Sequence, residues 1–179
     1  MRKTIVALVL LFASSSFAQT QAPTSEGREA MKKLNFLVGR WKGEGWVQFG
    51  PGQRQMVNAI ESVQPRLGGE VLLIEGLGKT KTEGNQPEVT GHDAIAFLYY
   101  DAKAKIFKFQ AHRAGGLAVD CEAKVTDRSF EWGFQDEHAG TLRFTMKLTD
   151  KGEWFEVGEM SRDGKTWHKF FEMTLQRLK

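Results

Sequence analysis

The sequence predicts an all-β protein: roughly ten antiparallel strands closed up-and-down into a barrel, behind a short N-terminal helix. Three observations carry this. Turn signals recur throughout the chain after Gly39. The segments between them alternate apolar and polar residues. Glycine (19 of 179 residues) and aromatics (11%) are abundant, while proline is scarce at 4. A period of two marks a strand with one buried and one wet face, and short connections between such strands make an antiparallel meander.

The turns fall at Gly50-Pro51-Gly52, Gly68-Gly69, the polar stretch 80–91, Asp101-Ala102-Lys103, Ala114-Gly115-Gly116, Asp127-Arg128, His138-Ala139-Gly140, Asp150-Lys151-Gly152 and Arg162-Asp163-Gly164-Lys165. Asp163-Gly164 is the best hairpin signal among them. Phe130, Trp132 and Phe134 share one strand face. Leu142, Phe144, Met146 and Leu148 share another, as do Leu117, Val119, Cys121, Ala123 and Val125. An open sheet of this size leaves two edges bare, so closure into a barrel is the economical solution and a two-sheet sandwich the runner-up. Such a barrel has an interior larger than its own side chains fill, which predicts a cavity.

The N-terminus has a separate logic. Met1-Arg2-Lys3 is a positive start, Ile5 to Phe12 an apolar run too short to span a bilayer, and Ser16 and Ala18 are small residues before a cleavage point after Ala18. Residues 1–18 are therefore expected to be a signal peptide, 19–25 a polar tail, and 26–179 a single domain exported to the periplasm or beyond, with no stable membrane anchor. Ser25 is placed to cap a helix through about Phe36, with Ala30, Met31, Leu34, Leu37 and Val38 as its apolar face. Cys121, the single cysteine, reads as a small buried hydrophobe, since no intrachain disulfide is possible.

Charge excludes some functions. Without the leader the chain carries 23 basic and 22 acidic groups, about +1. Nucleic-acid binding needs clustered Lys and Arg to displace counterions, so no nucleic-acid partner is expected. The histidines lack zinc spacing, and no nucleophile elbow or phosphate-binding glycine loop occurs, so no metal is expected and an enzyme is the less favoured class.

Leu37-Val38-Gly39-Arg40-Trp41-Lys42-Gly43-Glu44-Gly45 lies where helix gives way to strand. Alternation puts Gly39, Trp41, Gly43 and Gly45 on one face, an indole flanked by residues without side chains, suited to plugging the closed end of a barrel. This G-x-W-x-G-x-G pattern resembles nitrobindin and related haem-binding barrels of the calycin group, which includes lipocalins and fatty-acid-binding proteins. The mature chain also resembles a family of exported bacterial lipocalin-like barrels of unknown function, through Leu34 to Trp41 at its start and Asp163-Gly164-Lys165-Thr166-Trp167 with Phe170-Phe171-Glu172-Met173 at its end. The resemblance implies a ten-stranded calycin-like barrel with a central pocket, no obligate cofactor, and, in the nitrobindin alternative, haem b held by His168. Strict alternation puts His168 with Glu172, opposite Trp167, Phe171, Met173 and Leu175, unless a bulge shifts the register.

Carboxylates inside largely apolar strands are the remaining polar signal: Glu61, Glu75, Glu159 and Glu172. Projecting into a cavity, they would orient a polar head group or act as acid/base groups with raised pKa values; as an outer ladder they would face Lys and Arg across the strand. The expected cavity residues are Trp41, Glu75, Trp132, Glu159 and Glu172. The favoured function is binding of a small apolar or amphipathic molecule. The alternatives are haem binding through His168 and a cofactor-free enzyme using cavity carboxylates.

Overall fold

The computed structural model describes residues 25–52, 54–80 and 87–179; the expected leader and residues 19–24 of the tail lie outside the described residues. Ser25 caps helix α1 (Glu26–Met31), its hydroxyl accepting from the Arg28 backbone N–H. A 3-10 helix follows over Lys32–Leu37. The expected single helix thus tightens halfway. Three residues per turn stacks Met31, Leu34 and Leu37 in one row, and all three are buried.

Ten strands follow: β1 (Gly39–Val47), β2 (Gln55–Arg66), β3 (Val71–Thr80), β4 (Val89–Asp101), β5 (Ile106–Arg113), β6 (Leu117–Thr126), β7 (Ser129–Asp136), β8 (Gly140–Leu148), β9 (Trp154–Ser161) and β10 (His168–Arg177). Each pairs antiparallel with the next, and β1 pairs with β10, so the barrel is closed. The runner-up sandwich is thereby excluded.

Directly opposed residues share a face, so one inward residue fixes the rest around the ring. From Trp41 the pairs run through Glu61 to Gly76 and Ala94 on one side, and from Gly43 through Leu175 to Trp154 on the other. The faces expected from alternation in β6, β7 and β8 all point inward.

The end of the barrel nearest α1 is packed solid. Trp41 and Leu37 are fully buried there with Leu34, Val63, Leu98, Met146, Trp154 and Leu175. The Trp41 indole N–H donates to the Leu37 carbonyl at 2.9 Å, and Trp154 meets the indole edge-on at 5.7 Å. The Arg177 guanidinium lies over the same indole at 4.0 Å and bonds the carbonyls of Phe36 and Val38. Helix, first strand and last strand are thereby tied at one ring.

The β1–β10 seam depends on glycine. A Cβ on Gly43 would strike the Thr174 carbonyl and Leu175 Cα, and one on Gly45 would meet Met173. Gly43→Ala is expected to cost about 2 kcal/mol or more and to lower the thermal midpoint seen by circular dichroism. Gly52→Ala, with open space around it, should leave the midpoint nearly unchanged.

Candidate functional site

The other half of the barrel is less filled. Around the mouth the inward residues Ala94, Ala111, Val119, Trp132, Phe134, Phe144, Met160 and Phe171 are only partly buried. Its two sides differ. From β1 to β5 many of the inward residues are small: Gly43, Gly45, Ala59, Gly76, Gly78, Ala94, Ala96 and Ala111. From β7 to β10 the inward aromatic rings gather. Trp132 stacks on Phe144 at 4.3 Å and on Phe109 at 4.4 Å, and Phe134 continues the layer. A wall without side-chain bulk therefore faces a shelf of rings.

The β6–β7 seam is open. These strands pair only from Lys124↔Glu131 to Thr126↔Ser129, next to their turn. Beyond it they splay, leaving a cleft of about 460 Å³ at the mouth between Leu117–Asp120 and Phe134–His138. A second cleft of about 440 Å³ lies on the outer wall across β6, β7 and β8, bordered by Glu122, Glu131, Arg143 and Trp167. Cys121 stands in the seam half-buried. Its thiol contacts the Phe109 carbonyl at 3.7 Å, and burial raises its pKa.

Two carboxyl groups project inward where the packed half meets the open half. Glu61 stands on β2 opposite Trp41 and Gly76, and its oxygens occupy the space a Gly76 side chain would take, 2.8 Å from that Cβ position. Glu156 stands on β9 opposite Met146 and Met173 and is 8% exposed. It accepts a hydrogen bond from the Trp154 indole N–H at 2.9 Å. Burial raises the Glu61 pKa well above the ordinary carboxylate range, and repulsion from Glu156 raises it further. Burial takes Glu156 up to about 7, against the opposing pull of the Trp154 bond.

The sequence-predicted site residues are distributed differently from expectation. Trp41 and Trp132 face inward, the first sealed in the floor, the second on the ring shelf. Glu75, Glu159 and Glu172 do not line the cavity; the register sends all three to the outer wall. Glu75 pairs with Ser62 and is bonded by Gln64. Glu159 holds the Arg143 guanidinium at 2.8 Å, which also covers Trp167 at 4.0 Å. Glu172 holds the Lys169 ammonium at 2.6 Å, and that bond lowers its pKa. The outer-ladder alternative describes these groups.

A bulge in β10 decides His168. Lys169 pairs with Glu159, yet Phe171 pairs with Gly158, so Phe170 is the extra residue. His168 consequently stands opposite Met160, on the inward face at the rim, and is exposed there. Strict alternation fails at this point because two consecutive residues, Phe170 and Phe171, both pack against Phe144.

Comparison with known proteins agrees on shape. The sequence matches no protein-family pattern and no curated protein. In three dimensions the chain is similar to Rv2717c from M. tuberculosis, with a TM-score of 0.58, 14% identity, and coverage of 84% of this chain and 98% of that one. It is also similar to the S-type phycobiliprotein lyase CPES from Guillardia theta, with a TM-score of 0.54, 14% identity, and coverage of 84% and 92%. The shared feature is the fold, a calycin-like barrel of ten strands.

The raised Glu156 pKa has a consequence for stability. Between the ordinary value of 4.5 and about 7 the unfolded chain has released this proton while the fold retains it. Raising the pH through that window therefore favours unfolding, by roughly 3 kcal/mol. Glu156→Gln keeps the indole bond and removes the titration. Urea denaturation should show this variant more stable than wild type at pH above 7, with the difference vanishing below the window.

Proposed function

We propose that this protein is an exported binding barrel that holds a small apolar or amphipathic molecule in the mouth half of its interior. One observation carries the reading: the inward side chains are sealed around Trp41 but partly accessible around Trp132, where a small-residue wall faces stacked rings. An apolar body laid on the rings removes their surface from water, and the few polar groups below it set its orientation. The cleft where β6 and β7 part at the mouth supports a side route to the same space. Export rests on the leader-like residues 1–18. That one barrel of this shape is a phycobiliprotein lyase is consistent with the fold serving another molecule.

The neutral dye N-phenylnaphthylamine tests the reading. Its fluorescence should rise and the tryptophan emission fall on binding. Ala111→Trp, which fills the mouth from the small-residue wall, should weaken binding at least about tenfold while the far-ultraviolet spectrum is kept. A dye response unchanged by this variant would place binding elsewhere.

A second reading has its own observation. The β10 bulge turns His168 to the Met160 face at the mouth, beside Phe170 and Phe171. An imidazole at an open rim, two and three residues before Phe170 and Phe171 in the same strand, is a donor that would fit haem b, with His168 holding the iron. Haem held there would supply an iron centre for small gaseous ligands, as in nitrobindin-like barrels. Haem titration should then give a Soret shift in wild type that His168→Ala loses; identical spectra would remove His168 from the role.

A further inference from the structure

We infer that the interior recognises a primary ammonium group, and that Glu61 and Glu156 together form its receptor at the floor of the open half. This rests on the binding-barrel reading above and narrows its ligand to an amine with an apolar or aromatic body.

Unpartnered acceptors carry the argument. Trp154 occupies one oxygen of Glu156. The other oxygen of Glu156 and both oxygens of Glu61 have no hydrogen-bond partner among the described residues. Neither residue is wholly sealed: Glu61 is partly exposed and Glu156 is 8% exposed. Three acceptors on the inward face match in number the three N–H donors of a primary ammonium. Two acids brought together without a counter-ion repel each other, and a cation between them converts that repulsion into attraction.

The surroundings do not already supply a positive partner. The inward-facing cations stand elsewhere. Arg113 and His92 are at the rim on β5 and β4, and Arg177 lies over Trp41 at the base with its donors taken by carbonyls. The other inward titratable groups are His168 at the rim opposite Met160, Tyr100 beside Phe107 near α1, Cys121 in the seam and Asp136, whose carboxylate is bound to the backbone N–H groups of His138 and Ala139. None of these groups supplies a cation to the pair. Gly76 is required by the arrangement, because a side chain there would collide with the Glu61 carboxylate.

Three probes with one body and different heads make the test: naphthylmethylamine, its trimethylammonium analogue and naphthylmethanol, titrated at near-neutral pH by tryptophan quenching. The primary amine should bind at least about tenfold more tightly than the alcohol, with the trimethyl analogue between them for want of N–H donors. Glu61→Gln and Glu156→Gln should each bring the amine to the alcohol's affinity and leave the alcohol within about twofold. Equal affinity of wild type for amine and alcohol would overturn the ammonium receptor while leaving the binding barrel intact. Failure of all three probes to bind would overturn both. The wild-type comparison stands even where a variant folds poorly.

Discussion

Closure of the ring by β1 and β10 is the constraint on which the rest depends. Once Gly43 sits opposite Leu175 and Trp41 opposite Glu61, the paired residues around the barrel are assigned to one of two faces, save where a bulge shifts the register. The seam closes because Gly43 and Gly45 have no side chains to keep the β10 backbone away. Trp41, two residues earlier on the same face, then has only the barrel axis to occupy. Its indole N–H is satisfied by Leu37 and its face by Arg177, so a large polar-tipped ring is sealed with nothing left unpaired.

That seal divides the interior. Below it, Leu34, Leu98, Met146 and Leu175 are packed without exposure and hold the barrel together. Above it, residues of unequal bulk face each other across the axis, and the wall parts between β6 and β7. The carboxyl pair stands at the boundary of these regions. Burying Glu156 there works against stability at neutral pH, which the packed half is large enough to absorb. That cost is the observation behind the ligand-orienting role proposed for the pair.

Much of the architecture was legible in the sequence. The recurrent turns marked ten strands, Ser25 marked the helix start, and the alternation in β6, β7 and β8 identified their inward faces, Trp132 included. The acids were the difficulty. In β2, Val57, Ala59 and Val63 share the face of Glu61 and Asn58, Ser62 and Gln64 lie opposite, a signal that Met56 and Ile60 on the polar face only blur. In β9, Phe155 and Val157 make the face opposite Trp154 and Met160 equally apolar, so Glu156 carried no mark of its direction. Glu75 misled for the same reason, in a strand apolar on both sides.

Periodicity within one strand thus determined the number of strands, their antiparallel order and the indole at the closed end, because each of these follows from local spacing alone. Which carboxylates face inward was decided only by tertiary pairing. Inside and outside are properties of the closed ring, and a strand apolar on both faces acquires them from its neighbours. His168 shows this most sharply. A single extra residue, Phe170, changed its face, and both Phe170 and Phe171 reach Phe144 because Gly158 on the strand between has no side chain in the way.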